Sequence, residues 1–421
     1  MLKSDTDFAA FVGIDWADRK HDVCLALGDG DKLELSVLPH RPSCIEAWAQ
    51  SLRERFGGRK VAVCLELTQG PIVSALLEHD IFVLFPVNPA TLARYRKAFS
   101  PSGAKDDPTD AQIALELLLR HRDKLSPLEP DSTALRTLRR LVIVRRDLVE
   151  DRVRLTNRIT SDLKQYFPQI LGWFRDKHTA VFIDFLERWP TLQAAQRARR
   201  ETLLDFFREH NVRNATTIER RLEAIESERP LTTDRAVLEP FQLAVESLLS
   251  QLRAVVDGIE RFDAQIADRA KKLPDFALFA ALPGAGPALA PRLLAAFGER
   301  RERFPDAAAF QKYVGIAPVT ERSGNHSWVH WRFSCPTFVR QTLVEWTEQT
   351  IPTSFWAKAF YERHREKGAS HNASIRALAF KWIRILWRCW VDRLPYDESR
   401  YLSALRKRGS PLLHFAALPS P

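Results

Sequence analysis

Four acidic residues within the first 110 positions have the types and spacing to hold divalent cations. They are Asp15 in FVGIDWA, Glu66 in VAVCLEL, and Asp107 and Asp110 in AKDDPTDAQIALELLLRH. Carboxylate oxygens suit Mg²⁺, which keeps waters and takes further oxygens from a phosphate. Two such ions about 4 Å apart can activate an attacking oxygen and stabilise a leaving one. A simpler use competes for the last pair. Asp107-Pro108-Thr109-Asp110 reads as a helix start, with Asp as cap, Pro at the first position and an acid at the third. Capping alone accounts for those two residues. Residues three apart on a helix nevertheless stand about 5–6 Å apart on one face, which suits a shared ion. Asp15 and Glu66 each close an apolar run, FVGI and VAVCL, and a carboxylate there is costly unless paired or metal-bound.

The surrounding pattern says what must position these acids. Residues 8–39 read as three short strands, FAAFVGIDWA, HDVCLAL and KLELSVL, joined by the short links ADRK and GDGD. Links that short make hairpins, so the three strands are expected to be antiparallel. An amphipathic helix over 43–56 leads to VAVCLEL, and a helix near 71–78 leads to IFVLFPVN. Wholly apolar strands separated by helices imply a parallel pair. A meander followed by alternating helices and parallel strands is the arrangement of an RNase-H-like (RuvC-like) mixed sheet in an α/β domain.

Beyond residue 109 helix follows helix. Residues 132–166 read as one long arginine-rich helix, with Leu141, Leu148 and Leu155 seven apart and Arg139, Arg140, Arg145, Arg146, Arg152 and Arg154 among the other positions. A second, over 241–272, carries the rows Val245, Leu252, Ile259, Ile266 and Leu248, Val255, Phe262. That spacing suits either a coiled coil or a helix packed inside a bundle. Paired, the two helices make an antiparallel arm, with 167–240 as a helical insertion that carries no readable motif. At 284–286 a Gly-Ala-Gly turn precedes a helix. This is a helix-hairpin-helix-like pattern whose backbone N–H groups could meet a phosphate, although a glycine turn without a ligand is the commoner use. The remainder is basic and aromatic: WVHWRF, with Arg332, and TFVRQTL, with Arg340, precede a stretch in which the tryptophans follow helical spacing and belong in a core. The expected domains are residues 1–130, 131–272 and 273–421.

Composition agrees with a polyanionic partner. The 421 residues include 63 Lys and Arg against 53 Asp and Glu, a net charge of +10, and the pI is about 9.5. A basic chain that gathers carboxylates in one place suits a nucleic acid handled through metal. The five cysteines show no zinc spacing, and Cys24 and Cys64 read as small core hydrophobes. No apolar run reaches the roughly 18 residues of a membrane span. The expectation is a soluble, cytoplasmic protein without a membrane partner.

In combination, the order GID…CLE…K-x-D-x-x-DA, an arginine-rich arm, LPGAGPALA, YVGIAPVTERSG and CPTFVRQTL resembles the DEDD insertion-sequence transposases. These are bridge-RNA-guided recombinases related to the Piv invertase. The resemblance covers nearly all of the chain except 167–240. It implies a RuvC-like catalytic domain, a coiled-coil arm and a mainly helical C-terminal transposase domain. It makes Asp15, Glu66, Asp107 and Asp110 the metal-binding quartet for Mg²⁺ (or Mn²⁺), and Ser323, in ERSG, the nucleophile. It also implies donor and target DNA, a structured noncoding guide RNA and a homo-oligomer, dimer or tetramer. Gly284, Gly286, Arg332, Arg340 and the arm arginines are the expected nucleic-acid contacts. Two features depart from the family pattern: Asp106 stands where Thr or Ser is common, and SCPTFVRQTL replaces a more basic segment. From the residues alone, Ser323-Gly324 reads as a turn. A metal-and-water nuclease that leaves Ser323 idle, and a non-catalytic nucleic-acid-binding scaffold, are the competing readings.

Overall fold

Short apolar runs bounded by polar links set up the first strands, and the computed structural model describes residues 8–27, 32–99 and 107–414 of the chain. The chain divides into two units, Met1–Pro130 and Asp131–Pro421.

In the first unit, β1 (Ala10–Trp16), β2 (Lys20–Leu27) and β3 (Leu33–Pro39) pair antiparallel in succession. This is the meander expected from the sequence, although the link 28–31 lies outside the described residues. Helix α1 (Pro42–Arg55) then carries the chain to β4 (Val61–Leu65), which lies parallel to β1. Helix α2 (Pro71–Leu77) leads to β5 (Phe82–Pro86), parallel to β4. The resulting mixed sheet has the order β3-β2-β1-β4-β5. Helices α3 (Pro89–Phe99) and α4 (Asp107–His121) complete the unit. Every residue of β4 is buried, because helices cover both faces of the sheet there. Val61, Val63 and Leu65 pack with Ile45, Leu52 and Ile72 of α1 and α2. Ala62 and Cys64 pack with Ala114 and Leu118 of α4. That two-sided burial is why VAVCL is uniformly apolar.

The second unit is built on two long helices, α5 (Thr133–Tyr166) and, after the short helices α6 (Ile170–Trp173), α7 (Ala180–Arg188), α8 (Leu192–Gln196), α9 (Arg200–Glu209) and α10 (Ala215–Ser227), α11 (Arg235–Lys271). Leu135, Leu138 and Val142 of α5 share a core with Ile266 and Ala270 of α11. Leu155, Ile159 and Leu163 share another with Val245, Leu248 and Leu252. The pair is therefore antiparallel; Val245, Leu248, Leu252, Ile259 and Ile266 of its heptad rows are buried within one chain, and Leu141, Leu148, Val255 and Phe262 are half-buried. The 167–240 segment closes the second core, contributing Phe182, Phe185, Phe206 and Phe207. Helix α11 begins at Arg235, earlier than the 241 expected from the sequence, and includes Pro240. Asp234 caps it by accepting from the Ala236 N–H, and Pro240 forgoes only one intrahelical bond near the start.

The first core extends through α12 (Phe276–Ala280), α13 (Gly286–Phe297), α14 (Ala307–Tyr313), α15 (Thr337–Thr350), α16 (Phe355–Glu366), α17 (His371–Asp392) and α18 (Glu398–Lys407). Trp346, Trp356, Trp382 and Trp390 lie fully inside it, the last two as the helical spacing of 374–390 implied. A two-stranded hairpin, β6 (Val319–Ser323) and β7 (His326–His330), interrupts the helices. No described helix is long and apolar enough to cross a membrane.

Candidate catalytic face and nucleophile hairpin

Strand geometry decides which acids share a face. Side chains alternate along a strand, so Phe11, Gly13 and Asp15 project from one side of β1. That is the side covered by α4: Phe11 packs in one cluster with Ala111, Leu115 and Leu119. Gly13 is where the helix comes closest. A Cβ at this position would stand 2.0 Å from the Ala111 carbonyl oxygen and 2.5 Å from the Leu115 nitrogen. Only glycine lets the helix backbone rest on the strand there. Two strand residues advance about 6.6 Å and four helix residues about 6 Å, so α4 steps antiparallel over β1 in matched increments. Leu115 and Leu119 lie at the level of Phe11, and Ala111 and Leu115 at Gly13. The same step carries the first turn of α4, Asp107–Asp110, to the level of Asp15.

Two further acids belong to this face. Asp15 stands directly opposite Asp22 of β2, which is buried. Like charges directly opposite on a sheet repel, so this pairing calls for a cation. Lys20 lies 3.8 Å from Asp22. Sequence reading missed Asp22, and the hairpin register was the signal that could have found it. Glu66 follows Leu65, which is in register with Ile14, so it comes level with Asp15 at the end of β4. Burial and the Glu66 charge together push the Cys64 thiol up to about 12, so Cys64 stays a neutral core residue. Neither Asp15 nor Glu66 is without a partner.

Asp110 is enclosed, only 3% exposed. Arg96 of α3 reaches it, with Nη2 at 2.5 Å from Oδ1. The contact is close but poorly aligned: Oδ1 and Arg96 Nε are both buried without a hydrogen bond of acceptable angle. Among the described residues, no three His, Cys, Asp or Glu side chains converge closely enough to hold an ion. The Asp107 side chain and all of Asp106 lie outside the described residues. The all-oxygen donor set and the under-satisfied Asp110 carboxylate fit a hard divalent cation.

Ser323, in the second unit, ends β6 and is exposed. It pairs with His326 across a two-residue turn in which Gly324 has φ +54°, the left-handed value that a tight hairpin asks of its first central residue. Val319, Glu321 and Ser323 line one face, opposite His330, Trp328 and His326. Glu321 accepts from His330 Nε2 at 2.7 Å and from Trp328 Nε1 at 3.1 Å. The bond from the ring to the Trp331 carbonyl, together with Glu321, raises the His330 imidazole above its ordinary range. Ser323-Gly324 reads as a turn from the residues alone; Gly324 lies in one, but Ser323 is the last residue of a strand, and nothing in the sequence suggested the strands on either side.

The other expected contacts divide sharply. Arg139 donates to Asp131 and to the Ala295 carbonyl. Arg145 pairs with Asp263 of α11, and Arg146 with Glu345 of α15; Arg292 takes the other oxygen of Glu345 at 2.6 Å. Arg154 pairs with Asp151 one turn away. Among the described residues, Arg140 and Arg152 form no ion pair. Gly284 has a packing role: a Cβ there would stand 2.3 Å from the Gln349 carbonyl oxygen. The Trp346 indole N–H holds the adjoining Pro283 carbonyl at 3.0 Å. Gly286 opens α13 on the exposed side of the turn. Arg332 and Arg340 lie beyond β7, beside Trp331.

Residues 12–168 match a family profile described as Transposase, of the DEDD IS110 type, and residues 277–362 match one described as Transposase IS116/IS110/IS902 family. The "Mini-circle putative transposase for IS117" of Streptomyces coelicolor is 29% identical over 408 residues, covering 95% of this chain and 98% of its own. "Putative transposase y4uE" of Sinorhizobium fredii is 31% identical over 206 residues, 48% of this chain and 57% of its own. The "Insertion element IS110 uncharacterized 43.6 kDa protein" of Streptomyces coelicolor is 25% identical over 402 residues, 93% of this chain and 96% of its own.

Proposed function

We propose that this chain, which belongs to the IS110/IS116 family of insertion-sequence transposases, cleaves and rejoins DNA through a covalent Ser323 intermediate. The observation that carries the proposal is the face on which Asp15 and Glu66 stand level at strand ends beneath the first turn of α4, with Asp110 buried at that turn. The strand order β3-β2-β1-β4-β5 supports an RNase-H-like, RuvC-like assignment for the first unit. Asp15, Glu66, Asp107 and Asp110 would hold Mg²⁺ (or Mn²⁺), which when bound would neutralise charge on a phosphate.

The chain's own residues perform the rest. Ser323 Oγ attacks phosphorus and gives its proton to solvent. The Oγ–P bond forms, the ester P–O bond breaks, and the cut strand leaves with a free hydroxyl. Attack by a hydroxyl of another strand reverses these bonds and releases the serine, so no external energy source is needed. A serine is a weak nucleophile unless activated, and exposure at a hairpin end gives it access to a backbone. The Glu321 clasp to His330 and Trp328 stiffens the strand pair that presents it. We further assign donor and target DNA as substrates, a structured guide RNA as the selector of sites, and a dimer or tetramer as the working form; these rest on the family resemblance.

Denaturing electrophoresis of the protein with labelled DNA tests the reading. Wild type should give a phosphoserine adduct, Ser323→Ala none, and Asp15→Asn none despite unchanged folding. Full recombination by Ser323→Ala would return the metal-and-water nuclease to first place.

A further inference from the structure

Some arginines of this chain are matched to acids and others are not, and three of the latter gather around one tryptophan. Arg145, Arg146, Arg292 and Arg301 each meet a carboxylate. Arg332, Arg340 and Arg376 form no ion pair among the described residues, yet they gather at one spot. The Arg376 Cζ lies 4.4 Å and the Arg340 Cζ 5.3 Å from the centre of the Trp331 ring. Arg340 Nη1 donates to the Arg332 carbonyl at 3.2 Å. Arg332 Nε is buried with no hydrogen-bond partner. Like charges so placed repel, and the fold offers them no acid. Planar guanidiniums suit phosphate.

Exposed aromatic rings border the same spot. Phe333 is 78% and Trp328 46% exposed. Phe333 stacks on His330 with centroids 6.4 Å apart, and Trp328 shares the hairpin face with Ser323. Single exposed apolar residues are ordinary. Rings alternating with unmatched guanidiniums make a different pattern, in which bases stack on the rings and phosphates meet the cations. A paired duplex hides its base faces, so such rings can act only on unpaired nucleotides.

We infer that the surface from β7 to the start of α15, together with Arg376 of α17, binds an unpaired stretch of DNA beside Ser323, with Phe333 and Trp328 stacking bases and Arg332, Arg340 and Arg376 holding phosphates. It rests on the assignment of this hairpin as the carrier of the nucleophile. It adds that the strand is presented to the serine single, not paired.

Fluorescence anisotropy of the full chain without divalent metal, using a short labelled oligodeoxynucleotide of mixed sequence alone and as a duplex, tests it. The single strand should bind more tightly. Phe333→Ala should weaken the single strand by roughly 5- to 150-fold while duplex binding hardly changes, and Phe333→Trp should restore it. Arg340→Gln and Arg376→Gln should each lower the salt slope by about one. Equal affinity for single strand and duplex, or an unaffected Phe333→Ala, overturns the inference. Tighter, equally Phe333-dependent binding of RNA of the same sequence overturns the assignment to DNA. A change of mass in Phe333→Ala by light scattering would give the surface to a second copy of the chain. Ser323→Ala should bind as wild type, so the covalent-adduct assay can fail without touching this result, and the reverse.

Discussion

Replacing Gly13 by alanine tests whether α4 and β1 are built together to set the acidic face. The added Cβ would lie 2.0 Å from the Ala111 oxygen and 2.5 Å from the Leu115 nitrogen, where real contacts stay above 3.0 Å. Both neighbours are helix backbone and cannot swing aside, so α4 must lift by about 1 Å. A gap of that size forfeits a quarter to a half of each contact along the seam, which here involves Phe11, Ala111, Leu115 and Leu119. Overpacking of this kind costs about 1–3 kcal/mol, and backbone neighbours put it near the top of that range. For a unit of this size about 3 kcal/mol lowers Tm by roughly 12 °C. The same lift moves the Asp107–Asp110 turn away from Asp15, and a displacement of about 1 Å costs on the order of 100-fold in rate. Calorimetry of the full chain and Mg²⁺-dependent cleavage are the two readouts. Gly172→Ala, with nothing within 4 Å of the new carbon, is the control and should match wild type in both. If Gly13→Ala keeps the wild-type transition and cleaves normally, α4 does not rest on β1 and the derivation of the face is wrong.

Leu252 is completely buried between the two long helices, so Leu252→Asp should cost about 4 kcal/mol or more in urea unfolding, without first changing the particle mass; a change of mass at unchanged stability would mean that the heptad row joins subunits. Arg140→Ala with Arg152→Ala should lower the salt slope of DNA binding by about two, whereas Arg145→Ala with Arg146→Ala should lower thermal stability instead, because Asp263 and Glu345 lose their partners; the opposite assignment would reject the division. The raised His330 binds its proton more tightly in the folded chain than the ordinary value of about 6.5 implies. Its clasp to Glu321 is therefore complete below that pH and is lost as pH rises through the folded value. Trp328 emission should shift over that window and be flat in Glu321→Gln; a pH-independent wild type would refute the clasp.

How far the sequence reached follows from how local each signal is. Strand alternation, the apolar run at 61–65 and the leucine spacing of α5 are decided by near neighbours, and the mixed sheet and the long antiparallel pair emerge from them. Asp22 was missed because its significance comes from register: only pairing with β1 places it opposite Asp15. Gly13 looked like part of an apolar run, yet its role is set by a helix that begins 94 residues later. The Gly-Ala-Gly turn illustrates the converse. It invites a phosphate when read alone, but Gly284 is required by the Gln349 backbone, 65 positions away. Likewise, the heptad rows that mark the second long helix over 241–272 begin only at Val245, whereas the helix itself starts at Arg235 behind the Asp234 cap.

The net charge of +10 suggested nucleic acid, but the total does not say where it would bind. Arg145, Arg146, Arg292 and Arg301 neutralise acids that hold helices together. Their charge is largely cancelled at contact, and counterions there are not available for release on binding. What attracts a phosphate is uncompensated charge, and on the described surface of the second unit it includes Arg140 and Arg152 on the arm and Arg332, Arg340 and Arg376 around Trp331. The first lies along a helix and suits a regular backbone without regard to its bases. The second is interleaved with exposed rings and adjoins the serine. A protein that must grip DNA broadly yet act on one phosphodiester needs both kinds, one to hold the polymer and one to fix a strand at the nucleophile. On that argument the arginine-rich sequence of α5, the most conspicuous basic feature of the chain, is divided between structure, at Arg139, Arg145 and Arg146, and a grip on the polymer, and the residues that position the reacting strand are those around Trp331.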